Sequence, residues 1–125
     1  MAAAPPASAS PRIIDAYGNG GFRIGGETFS GSILVLPDGA VVSWSADVDA
    51  LSADSFDAVV AASPPPEILL LGCGARAAFV PPAVRQRLRE AGVVVDAMGT
   101  GAACRTYNVL IAEERRVAAA LIAVD

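Results

Sequence analysis

Two rhythms of hydrophobic and polar positions divide the chain. In the first half, short apolar segments alternate with polar residues and are broken by glycine turns. Residues 12–17 predict a strand, and Gly18-Asn19-Gly20-Gly21 predicts a turn that frees the backbone for positive φ. Residues 22–24 and 28–29 flank Gly25-Gly26, and residues 32–36 and 40–44 flank Pro37-Asp38-Gly39; both are hairpin signals. Meandering antiparallel strands are the expectation here. Ser52 then predicts a helix cap, with Leu51, Phe56, Val59 and Val60 on the buried face and Pro64-Pro65-Pro66 as the stop.

The second half reads differently. Residues 67–71 and 93–97 are solid aliphatic runs, and residues 117–124 form a third, Ala-rich one. Between them lie a helix at about residues 81–91, opened by proline and closed by Gly92, and a helix at residues 101–114 with Thr100 as its N-cap. Apolar strands alternating with helices predict a parallel sheet with right-handed crossovers. The predicted class is α/β, three-layered, with a central mixed sheet: a parallel βαβ core and antiparallel N-terminal strands. The Ala/Pro/Ser-biased residues 1–11 predict a disordered tail, leaving residues 12–125 as one domain.

Composition narrows the chemistry. The chain has 125 residues, no His, and a net charge of −4; all nine of its basic residues are Arg. Without His or Lys, the Ser-His and Cys-His pairs, Schiff-base chemistry, the commonest zinc ligand and the P-loop lysine are all excluded. The arginines are scattered; Arg85, Arg87 and Arg89 read as a solvated helix face, and no basic stripe suited to nucleic acid is present. The mean hydropathy of +0.50 supports a packed core, but the apolar runs are far shorter than the roughly 20 residues a helical span needs. No cofactor, metal or integral membrane segment is expected. Cys73 and Cys104 have neither disulfide-framework nor zinc-ligand spacing. With no signal-peptide pattern at the N-terminus, the expected compartment is the cytoplasm.

Two candidate sites emerge. Gly72-Cys73-Gly74-Ala75-Arg76-Ala77 matches the dinucleotide pattern G-x-G-x-x-A, and Asp96 stands where a ribose-binding acid would fall. That motif requires a helix to begin within the glycines, whereas Pro81-Pro82 postpones it, so a tight βα turn is the simpler reading. Topology supplies the second site. In a βαβ unit the loops leaving both strands share one sheet edge, which brings Gly72, Cys73, Gly74 and Arg76 beside Thr100, Arg105 and Asn108 as a candidate anion pocket. The competing reading has Arg105 paired with Asp96 and Asn108 capping a neighbouring loop. Cys73, in a glycine loop, is a candidate exposed thiol, whereas Cys104 joins Ala103, Tyr107, Leu110 and Ile111 in a core stripe. Trp44, Phe22 and Phe29 read as core.

These motifs together resemble a known family. Gly18-x-Gly-Gly-Phe22, Glu67-Ile-Leu-Leu-Leu-Gly72-x-Gly74, Met98-x-Thr100, Ala102-Ala-Cys-Arg-Thr-Tyr-Asn-Val-Leu110 and the Glu113–Leu121 block are similar to those of the Mth-domain family of unknown function. Its members include bacterial and archaeal proteins, an adipogenesis-associated protein and a mitochondrial complex I assembly factor. The resemblance implies a three-layer α/β fold and a non-enzymatic assembly or interaction role linked to respiratory complex I, with a protein partner. The alternative is an anion-binding protein or minor enzyme using the Gly72–Gly74 and Thr100–Asn108 edge. Cys73 departs from a position often Thr, and Glu114 from one often Gly, the residue better suited to a left-handed helix end.

Overall fold

In a computed structural model, residues 13–45 and 47–125 are described; the expected tail over residues 1–11 lies outside them. Along the chain run β1 (Ile14–Gly18), β2 (Gly21–Ile24), β3 (Glu27–Ser30), β4 (Ile33–Val35) and β5 (Val41–Ser43). Two 3-10 turns lead into α1 (Asp57–Val60), followed by β6 (Ile68–Gly72), α2 (Pro82–Glu90), β7 (Val94–Met98), α3 (Thr100–Ala112) and β8 (Val117–Leu121). The five-stranded sheet has the order β5-β4-β8-β6-β7. Strands β8, β6 and β7 are mutually parallel, while β4 runs antiparallel to both β8 and β5.

The mixed α/β architecture agrees with the sequence reading, with one difference in the first half. Strands β1, β2 and β3 do not extend the central sheet but form a separate antiparallel one. Burial explains the division. Ile33, Leu34 and Val35 are all buried, as an interior strand requires, whereas β2 buries only Phe22 and Ile24 and offers one apolar face. A one-faced sheet packs on a layer and does not sit within it.

Alternation along the strands sorts the core into two halves. Leu34, Leu69, Leu71, Ala118 and Ala120 point to one face, where Phe56, Val59, Val84 and Leu88 cover them. Ile33, Val35, Leu70, Ala119 and Leu121 point to the other, beneath Ala103, Cys104 and Tyr107 of α3 and Ile14, Phe22 and Ile24 of the small sheet. The Ala-rich β8 is therefore an interior strand, between β4 and β6. Trp44 is core, as expected; its ring lies 5.3 Å from that of Phe56, and its Nε1 donates to the Ser55 carbonyl at 2.9 Å. The helix expected after Ser52 is only a 3-10 turn and one α-turn. The Ser52 N–H donates to the Ser55 hydroxyl at 2.9 Å, which tightens the start of this short segment.

Helices α2 and α3 end in the same hydrogen-bond pattern with different residues. After α2, Gly92 and Val93 donate to the carbonyls of Arg89 and Leu88. After α3, Glu114 and Arg115 donate to those of Ile111 and Leu110. This is the Schellman arrangement, and its left-handed position is Gly92 (φ 82°) in one case and Glu114 (φ 60°) in the other. A side chain there strains the backbone. Glu114→Gly is expected to stabilise the protein by about 1 kcal/mol, or about 4 °C in Tm, and Gly92→Glu to destabilise it comparably. Thermal unfolding of the two variants checks this; equal Tm values for wild type and Glu114→Gly would contradict it.

Candidate functional site

The loops leaving β6 and β7 lie side by side, as the crossover topology dictates. The Cys73 N–H donates to the Met98 carbonyl, and the Thr100 N–H to that of Gly74, both at 2.8 Å. Gly72 is buried at the junction: a Cβ there would stand 3.0 Å from both the Thr100 Cα and the Leu121 side chain. The loop 73–81 then delays α2 until Pro82, so no helix begins within the glycine motif. The pyrophosphate cradle of the dinucleotide pattern is absent here, and Asp96 is an exposed residue of the edge strand β7.

Thr100 is not a surface contact but the fastener of this junction. It is completely buried. Its hydroxyl donates to the Ile122 carbonyl at 2.8 Å and accepts from the Gly74 N–H at 2.9 Å. Its proton and one lone pair are committed to backbone, and complete burial keeps a ligand from the other lone pair. Gly99, not Thr100, is the N-cap, and Thr100 is the first helical residue.

Asn108 likewise leaves the candidate pocket. Its side-chain amide donates to the Ile14 carbonyl at 3.0 Å and accepts from the Ile14 N–H at 2.8 Å, so it pairs with β1 as another strand would. This places β1 on α3, close to the competing capping role. Cys73 is buried, 7% exposed, among the residues between the sheet and α2, with its thiol 3.6 Å from the Leu71 carbonyl. The expectation of an exposed thiol is therefore corrected: the side chain continues the inward alternation of Leu69 and Leu71. Cys104 is buried on the opposite face of the sheet, so the two thiols cannot approach each other.

What remains at this edge is a cleft of about 820 Å³. Tyr17, Gly74, Arg76, Gly101, Arg105 and Val124 are among its lining residues. Arg76 and Arg105 are exposed, and Arg105 forms no ion pair with Asp96 or any other described carboxylate. The sequence reading missed Tyr17. Its hydroxyl end lies on the first turn of α3 at Gly101: a Cβ there would come within 2.5 Å of the Tyr17 hydroxyl and would push the ring aside. Nothing in the local pattern around Tyr17 signals this, because the contact requires the small sheet to dock on α3. Among the described residues no group of His, Cys, Asp and Glu is arranged to hold a metal, and no helix is long and apolar enough to cross a membrane.

Burial pushes the Cys104 thiol up to about 11, with the Arg105 charge pulling weakly the other way. The folded state thus favours the neutral thiol, while the unfolded chain ionises near the ordinary value of 9.0. The resulting stabilisation is present below that value and is lost as pH rises toward the folded one. Between pH 8 and 11 the wild type is expected to lose about 2–3 kcal/mol more than Cys104→Ala. Denaturant unfolding at both pH values measures the difference, and parallel losses would refute it. For Thr100, Thr100→Val removes the partner of the half-buried Gly74 N–H and Ile122 carbonyl and is expected to cost about 1–3 kcal/mol. Thr100→Ser, which keeps both bonds, should cost clearly less by the same unfolding assay.

The family described as protein of unknown function (DUF498/DUF598) matches residues 14–122. An uncharacterized protein of Rhodobacter capsulatus is 37% identical over 122 residues, which cover 98% of this chain and 93% of that protein. NADH dehydrogenase (ubiquinone) 1 alpha subcomplex assembly factor 3 of Danio rerio is 36% identical over 111 residues, covering 88% of this chain and 63% of the relative. The chain thus spans less than two thirds of that assembly factor. Among solved structures, a Bartonella henselae protein described as an outer membrane protein is 40% identical with a TM-score of 0.84, covering 92% of this chain and 97% of its own. A Bordetella pertussis protein described as an Mth938-like domain is 29% identical with a TM-score of 0.78, covering 98% and 91%.

Proposed function

The chain belongs to the DUF498/DUF598 family of proteins of unknown function, the Mth-like domains, and on that premise we propose that it is a non-enzymatic protein-interaction factor in the assembly of respiratory complex I. The observation that carries this reading is the extent of the similarity to the assembly factors. It runs over 88% of the chain for the Danio rerio protein and 92% for the human one, not over a single motif. A shared fold alone would be weaker support, since folds host many functions.

The chemistry at the sheet edge favours the same reading. A catalytic site brings a nucleophile or base to an open surface within reach of a substrate. Here the hydroxyl of Thr100 and the amide of Asn108 are spent on backbone, and both thiols are buried. The chain has no His and no Lys to serve as a base. What the surface offers is recognition chemistry: guanidinium groups and an aromatic ring.

The experiment is co-purification from the native host, using an N-terminal tag so that the cleft beside Val124 stays free. Complex I subunits are expected to elute with the protein, and deletion of its gene is expected to lower the amount of assembled complex I on native gels. A deletion strain with undiminished complex I, together with an eluate lacking its subunits, would overturn the assembly role.

A further inference from the structure

Pairing sorts the described arginines into two groups. Among the described residues, Arg87 pairs with Asp57 and Arg115 with Glu67. Arg89 donates to Gln86, and Arg85 and Arg116 donate to the carbonyls of Val95 and Pro65. Arg23, Arg76 and Arg105 have no such partner among the described residues. Two of these three, carried by different elements, line the same cleft; Arg23 lines another depression together with Asp15. In a chain of net charge −4, two unengaged guanidinium groups against the single side-chain carboxylate of Asp125 leave this cleft with an excess of positive side chains.

We propose that the cleft flanked by Arg76 and Arg105 is the docking surface for an acidic segment of a partner protein, which sets a side-chain carboxylate between the two arginines and an apolar neighbour on the ring of Tyr17. The proposal rests on the assembly reading, because it names the part of the partner that the protein grips. Guanidinium groups recognise carboxylates through charge-assisted, often bidentate hydrogen bonds. Tyr17 is 43% exposed at the wall of the same cleft and is braced against α3 at Gly101. A braced aromatic ring beside arginines is the composition of an interface anchor. The cleft, of about 820 Å³, is open to solvent along much of its length and not enclosed as small-molecule pockets are, which suits an extended chain segment. Asp125 also lines the cleft without pairing with either arginine, and it sets a carboxylate against any second acidic group that approaches on its side.

The test is an NMR titration of the 15N-labelled protein with the acetylated, amidated peptide Glu-Glu-Leu-Glu-Glu. Its glutamine counterpart and inorganic phosphate serve as separate probes. Saturable shifts of the Gly74, Gly99, Gly101 and Arg105 amides with the acidic peptide alone are expected. Arg76→Glu and Arg105→Glu, both exposed and so compatible with folding, should each weaken binding about fivefold or more, and Arg23→Glu less than about twofold. Absence of saturable shifts overturns the proposal. So does an equal loss in Arg23→Glu, which would mark diffuse electrostatics, or tighter binding of phosphate at the same amides, which would mark a small-anion site. If complex I subunits still co-purify with a chain carrying both Arg76→Glu and Arg105→Glu, the cleft proposal falls and the assembly reading stands. If the peptide binds as expected but no subunit co-purifies with the wild type, the assembly reading falls and the acidic-segment site stands.

Discussion

A single buried hydroxyl ties together the carboxyl edge of the central sheet. Thr100 donates to Ile122 beyond β8 and accepts from Gly74 beyond β6, while its own N–H binds the Gly74 carbonyl. Three chain segments distant in sequence thereby share one residue at the start of α3. The arrangement demands small neighbours, and Gly72, Gly99 and Ala103 supply them. Without Thr100 the half-buried Gly74 and Ile122 groups would lose these partners, and a polar group removed from water without one is costly. The position of α3 over the sheet, and with it the shape of the cleft, follows from this fastening.

From α3 the dependence passes outward. Asn108, two turns along the helix, holds β1 by its side-chain amide, and β1 carries Tyr17 back over Gly101. The small antiparallel sheet is thus attached by a polar clamp at one end and by Ile14, Phe22 and Ile24 beneath it. Residues that look available for ligand binding along the helix sequence are consumed in assembling the layers. The surface that results is one on which only the side chains not needed for assembly, Arg76 and Arg105 among them, remain free to meet another molecule.

Much of this was legible beforehand. The aliphatic runs that became β6, β7 and β8 could bury both faces only in a parallel sheet, and the proline and glycine punctuation placed α2 within a residue or so of its ends. The adjacency of the Gly74 and Gly99 loops followed from crossover geometry alone. The absence of His and Lys removed whole classes of chemistry without any coordinates. Glu114 stands out in the sequence as an unusual helix end, and its φ is 60°. The segment after Ser52 folds as a 3-10 turn and one α-turn and not as the full helix its apolar spacing predicts, because that spacing does not reveal how soon the chain gives way to the run of prolines.

The sequence by itself determined the class of fold, the layers and the family, because periodicity and turn chemistry act over a few neighbouring residues. Only the tertiary structure decided the fate of the individual polar groups at the sheet edge. Thr100 and Asn108 could serve a ligand or the backbone equally well on local grounds, and Cys73 could face outward or inward. Each choice depended on partners in sequence-distant segments, Ile122 for Thr100 and Ile14 for Asn108. A hydrogen bond between groups separated by that much chain leaves no periodic trace. It exists only once the layers have closed around it.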